Sequence, residues 1–227
     1  NNNTVTVTRG ELLTGDELVA TATGSVTNVA DTTVGNNPIA EGYKVMHGDE
    51  DVTASYVITT EAGTLTINPK AVTVTAKSEQ FTYDGTAHSN NGYDVDGLVG
   101  SDAISAVVTG SITFPSESAV TNTLTSYEFT TGPPGNYSVT TANGELTMVN
   151  AAVEITITAA SQAWTYDGNA HNNNTVTVTE GTLLTGDELV ATATGSVTNV
   201  ADTETGNNPI ATGYKVMHGD EDVTAIA

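Results

Sequence analysis

The chain contains no cysteine, so disulfides and thiolate metal sites are excluded. Basic side chains are almost as scarce. Arg9, Lys44, Lys70, Lys77 and Lys215 stand against 27 acidic residues, for a formal net charge of −22. A surface of that sign repels phosphate backbones and anionic headgroups, so no nucleic acid is expected as a partner. Aromatic residues make up 5% of the chain, which points to small cores of Val, Ile, Leu and Ala. No apolar run reaches the roughly 18 residues of a membrane-spanning helix, and no membrane insertion is expected. No signal peptide or sorting motif is recognisable. Helical periodicity is also missing. Only Leu13–Leu18 has the makings of a single helical turn, with Asp16 as its cap.

What the chain does have is alternation. Val72, Val74 and Ala76 are separated by Thr73 and Thr75, and Val153, Ile155 and Ile157 by Glu154 and Thr156. Val176 and Val178 alternate with threonines, and Val5 and Val7 do the same. Period two with one apolar side predicts half-buried antiparallel strands, with threonine on the wet face. Gly, Asn and Asp punctuate the runs at Tyr83-Asp84-Gly85, Asn91-Gly92, Asp96-Gly97 and Asn143-Gly144. The same alternation argues against the disorder that high acidity with few aromatics can signal.

The chain also repeats itself. Residues 1–56 return at 172–227 with an offset of 171 and seven mismatches: Arg9/Glu180, Glu11/Thr182, Thr33/Glu204, Val34/Thr205, Glu41/Thr212, Ser55/Ile226 and Tyr56/Ala227. A weaker repeat lies inside the strong one. Phe81-Thr82-Tyr83-Asp84-Gly85-Thr86-Ala87-His88 matches Trp164-Thr165-Tyr166-Asp167-Gly168-Asn169-Ala170-His171. Tyr56–Ile67 matches Tyr137–Met148, and each reads as a hairpin into a final strand. Two related modules therefore alternate. The organisation expected is a partial module at 1–69 without its opening strand, a complete one at 70–150, and a partial one at 151–227 without its closing hairpin. Both ends then fall inside a module, as in a window on a longer array.

The Tyr-Asp-Gly opening, the Tyr-x-(Ile/Val)-Thr-Thr-x-x-Gly-x-Leu-Thr-(Ile/Met) closing and the central Gly97-Leu98-Val99-Gly100-Ser101-Asp102 resemble the MBG/YDG-type bacterial Ig-like repeats. The resemblance covers essentially the whole chain. It implies an all-β fold of tandem Ig-like antiparallel sandwiches placed end to end. It also implies an extracellular location, in a long repetitive adhesin-like protein of the bacterial surface. It carries over no catalytic or ligand-binding residue.

The connections between modules are short. Five positions separate Ile67 from Val72, and five separate Met148 from Val153. Pro69 removes a torsion at the first. A stiff stack is expected rather than beads on a flexible string.

Two clusters are candidates for chemistry. His47-Gly48-Asp49-Glu50-Asp51 and its copy His218-Gly219-Asp220-Glu221-Asp222 are the densest acidic segments. Asp49, Glu50, Asp51, Asp220, Glu221 and Asp222 could offer a calcium ion several oxygens at once. Their spacing matches no EF-hand or Gly/Asp nonapeptide pattern, and a solvated hairpin tip accounts for them as well. Tyr83, Asp84 and Gly85, with Tyr166, Asp167 and Gly168, read as tight structural turns. His47, His88, His171 and His218 lack zinc spacing. No nucleophile elbow, P-loop or dinucleotide fingerprint is present, so an enzyme is not expected and no cofactor is required.

The function expected is that of a stalk or fibre shaft. Its partners would be neighbouring repeats and like chains. Two alternatives stay open: a glycan- or protein-binding adhesin module, with Trp164 and Tyr166 as platform, and a fibre subunit assembled by strand complementation between chains.

Overall fold

A computed structural model describes residues 1–224. The described residues are all-β, with five 3-10 turns and no α-helix. Residues 1–69 hold β1 (Asp16–Val19), β2 (Lys44–His47) and β3 (Glu50–Asp51). The next stretch holds β4 (Lys70–Ala76), β5 (Glu79–Thr82), β6 (Tyr93–Asp96), β7 (Ala103–Thr109), β8 (Val120–Thr131), β9 (Tyr137–Ala142) and β10 (Gly144–Val149). Then come β11 (Thr156–Ala159), β12 (Val176–Glu180), β13 (Asp187–Val190), β14 (Lys215–His218) and β15 (Glu221–Asp222).

Two compact units are distinguished. The first comprises Asn1–Val74, Val95–Ser105 and Tyr127–Thr141. It contains the antiparallel sheet β1-β2-β3 and most of the sheet β6-β4-β9. Val72 and Val74 are buried to 1% and 0% exposure, while Thr73 between them is exposed, as the alternation requires. The second unit comprises Thr75–Asp94, Ala106–Ser126 and the residues from Ala142 onward. It contains most of the sheet β5-β10-β8-β7, and the sheets β11-β12 and β13-β14-β15. Its core is Tyr83, Ile112, Leu146 and Met148, against which Phe81, Phe114, Val120, Leu184 and Val223 pack.

Several segments differ from the sequence expectation. Residues 153–155 carry the alternation but lie outside any strand, since β11 begins at Thr156, where pairing with β12 begins, and Val153 is 44% exposed. Leu13–Leu18 makes no helical turn. Asp16 opens β1 after a turn closed by its N–H on the Leu13 carbonyl, and its carboxylate binds Tyr56 and His47 instead of capping. Val5–Thr8 is not a strand, although the identical Val176–Thr179 lies in β12. The difference is the partner: β12 pairs with β11, whereas among the described residues no strand pairs with Val5–Thr8. Alternation supplies a face, but a strand also needs a neighbour for its backbone groups.

Residues 137–148 form no hairpin either. β9 joins β4 in one sheet and β10 lies between β5 and β8 in another, so the chain changes sheets at Asn143. The equivalent Gly63–Ile67 forms only the bridge Asn37↔Gly63. Side chains hold the rest of that segment. Asn36 brackets Leu65 with bonds of 2.6 and 2.8 Å, and the Ile67 N–H donates to Thr32 Oγ1 at 2.9 Å.

Candidate functional site

One element recurs at the ends of the β1, β7 and β13 regions: an aspartate that receives a tyrosine hydroxyl. In the first unit the Tyr56 hydroxyl donates to Asp16, and the Leu13 N–H donates back to that hydroxyl at 3.0 Å. The Tyr137 hydroxyl likewise donates to Asp102 and accepts from the Val99 N–H at 3.2 Å. Each tyrosine ties a loop to the strand that follows it. The bond to Tyr56, then the one to His47, lowers the Asp16 pKa, and the Asp16 bond raises that of Tyr56.

The third aspartate is reached from farther away. Asp187 has a side chain only 5% exposed, and its Oδ1 accepts from the Tyr83 hydroxyl at 2.7 Å. His218 Nδ1 lies 2.8 Å from the same oxygen and 3.2 Å from the Tyr83 hydroxyl. Burial first, then the Asp187 bond, pushes the Tyr83 phenol well above its usual range. The Phe114 ring meets His218 edge-on at 5.5 Å, and Ser116 Oγ donates to Glu221 at 2.5 Å. The backbone comes equally close: a Cβ on Gly85 would sit 2.3 Å from the Thr185 carbonyl oxygen. Residues 83–85 and 114–116 therefore dock on 185–187 and 218–221 through a mixed apolar and charge-assisted contact inside the second unit.

The first unit holds a contact of different chemistry. Asn136 accepts from the Val29 N–H at 2.9 Å and donates to Asn28 Oδ1 at 2.9 Å. Asp31 shapes the 3-10 turn Val29–Asp31 by accepting from the Thr27 and Asn28 N–H groups, each at 2.8 Å.

The two Tyr-Asp-Gly segments share their local geometry. Asp84 Oδ1 accepts from the Thr86 N–H at 2.9 Å and lies 3.0 Å from His88 Nε2; Asp167 makes the same pair of contacts with Asn169 and His171. Phe81 stacks on His88, and Trp164 on His171. Gly85 and Gly168 have φ of +83° and +81°. The two tyrosines differ: Tyr83 is buried, whereas Tyr166 is 65% exposed.

The acidic tips are hairpins closed at Gly48-Asp49 and Gly219-Asp220, with His47 opposite Glu50 and His218 opposite Glu221. Asp51 accepts from the Thr53 hydroxyl and N–H and pairs with Lys44 at 3.0 Å. Asp222 repeats this with Thr224 and with Lys215 at 2.7 Å. Glu221 is bound by Ser116. Among the described residues no three His, Asp or Glu side chains converge as a metal site.

These hydrogen bonds give a pH dependence. Asp51, Asp84, Asp167 and Asp222 are each lowered to about 2. The Thr53 hydroxyl contributes most at Asp51, the Thr86 hydroxyl at Asp84, the Asn169 N–H at Asp167 and Lys215 at Asp222. A depressed carboxylate stabilises the fold above its unfolded pKa of 3.8, and that contribution is lost as the pH falls through the folded value. Melting temperature should therefore fall between pH 4 and pH 2, and an Asp84→Asn, Asp167→Asn double variant should fall less steeply. Equal slopes in melts followed by circular dichroism would refute the assignment.

Another recurring element was not read from the sequence. Asn37 Oδ1 accepts from the Gly24 N–H at 2.8 Å, and Asn208 Oδ1 from the Gly195 N–H at 2.9 Å. Asn122 sits at the matching place, fully buried, and donates to the Lys77 and Asn90 carbonyls at 2.8 and 2.7 Å. A Cβ at Gly24, Gly110 or Gly195 would meet the facing asparagine oxygen within 2.7 Å. The signal was present as Thr-Gly-Ser-(Val/Ile)-Thr at 23–27, 109–113 and 194–198.

Comparison of the chain with known protein families, with curated proteins and with solved structures returns no match.

Proposed function

We propose that the chain is a structural segment of a long repetitive protein of the bacterial surface, a stalk or fibre shaft that spaces an adhesive or anchoring part from the cell. On this reading 1–69, 70–150 and 151–227 are successive Ig-like modules of MBG/YDG type. The observation that carries it is the 171-residue repeat, because a spacer needs many copies of one part whereas a catalyst needs one asymmetric site. The two kinds of inter-segment contact support it. Tyr83 on Asp187 and Asn28 on Asn136 both join one repeat region to the next through directional bonds. At the acidic tips Lys44 and Lys215 pair with Asp51 and Asp222.

Small-angle scattering tests the proposal. Sandwiches of 6–8-residue strands with end loops are roughly 35–40 Å long, so three in line approach about 110 Å. A maximum dimension near that value is expected, and a particle of about 50 Å would overturn the reading.

A further inference from the structure

The segment 151–224 contains a cavity of about 620 Å³, lined by Ile157, Trp164, Thr203, Gly206, Asn207 and Asn208 among others. Four of these are the 171-residue counterparts of Thr32, Gly35, Asn36 and Asn37. In the first unit those four residues hold the Gly63–Ile67 segment. The Gly35 N–H donates to Thr64 Oγ1 at 3.1 Å, and Asn36 bonds both backbone groups of Leu65. Thr32 Oγ1 accepts from the Ile67 N–H, and Asn37 exchanges backbone bonds of 3.0 and 3.1 Å with Gly63. Residues 70–150 fill the same place with a full strand. There β10 pairs Gly144 with Asn122, and Leu146 and Met148 are buried at 0% and 4% exposure.

We infer that this cavity is a seat for an extended strand of Gly-x-Leu-Thr-Ile sequence, the sequence of Gly63–Ile67, brought by a further copy of the repeat. The register follows from the filled version. β10 runs parallel to β5, with Leu146 opposite Glu79 and Met148 opposite Phe81. It runs antiparallel to β8, with Gly144 opposite Asn122 and Leu146 opposite Val120. Transferred to the cavity, the incoming leucine lies between Gln162 and Gly206, the isoleucine beside Trp164, and the glycine opposite Asn208. The local structure agrees. β5 is a strand with β10 beside it, whereas Gln162–Thr165 carries the related sequence outside any strand. The seat offers both apolar contact (Ile157, Trp164) and the backbone-binding amide of Asn207, the combination used in strand addition.

The inference rests on the module correspondence of the proposed function, but it can fail separately. The probe is a synthetic peptide of residues 56–69 added to the whole chain. Trp164 is the only tryptophan, so its emission reports the seat directly. Saturable change in that emission is expected, with at least tenfold slower amide exchange at 162–165 and 206–208. An Asn207→Ala chain should bind the peptide about tenfold more weakly, the loss of roughly one well-made hydrogen bond. A peptide carrying Leu65→Asp and Ile67→Asp should not bind. No response up to the solubility limit, or an equal response to the double-aspartate peptide, overturns the seat. An elongated chain that ignores the peptide refutes only this inference. A compact chain that binds it refutes only the stalk.

Discussion

Asn122→Ala is expected to destabilise the fold by about 2–4 kcal/mol, well above the roughly 1 kcal/mol of an average substitution. Asn122 is fully buried in the second unit, and its amide donates to the Lys77 and Asn90 carbonyls. Truncation leaves two acceptors that water cannot readily reach, each costing about 1–3 kcal/mol. A small void where the amide stood adds to the loss. Asn122→Asp should be worse, because it keeps the shape, removes both donors and places a carboxylate in a dry site. Urea unfolding followed by circular dichroism should show a lower midpoint at an unchanged slope. A loss below about 0.5 kcal/mol for Asn122→Ala would mean the clamp does not hold the fold, placing it with ordinary surface changes.

The contrast between Asn122 and Val74 shows what the sequence made legible. Val72, Val74 and Ala76 announced β4 and its buried face through period two alone, because side-chain direction along a strand is a local property. Val5 and Val7 carried the same signal and form no strand, since pairing depends on a segment elsewhere in the chain. The Tyr-Asp-Gly turns were legible for the same local reason: Asp84 and Gly85 act within four residues of each other and of His88. The Asn–Gly clamps at Gly24 and Asn37 and at Gly195 and Asn208 join residues 13 positions apart in sequence, and alternation says nothing about such pairs. The sheet change at Asn143 was also hidden, because a turn dipeptide marks a reversal or a crossover with the same letters. Tyr83 on Asp187 spans 104 residues, and no periodicity reports a contact of that separation.

That contact gives the second large effect. Tyr83→Phe should weaken the docking of residues 184–223 by about 1.5–3 kcal/mol, the range for a hydrogen bond to a charged group, while Tyr166→Phe should stay within about 0.5 kcal/mol. The two tyrosines occupy the same place in the same motif, and only their surroundings differ. Tyr83 is 5% exposed with its hydroxyl on Asp187, whereas Tyr166 is 65% exposed. Phenylalanine keeps the ring against Phe114 and Ile112 and removes only the hydroxyl, so packing cannot account for a loss. The carboxylate of Asp187 is then left with His218 as its remaining side-chain partner of this pair, in a site where it is almost wholly desolvated. Because Tyr83 and His218 share one oxygen, their effects should not add, and a Tyr83→Phe, His218→Ala cycle should show coupling above about 0.5 kcal/mol. Amide exchange in β13 and β14 reads the loss where it occurs. Equal effects of Tyr83→Phe and Tyr166→Phe on those amides would show that the buried hydroxyl does not bind the two repeat regions together, and would remove the charge-assisted joint from the proposed stalk.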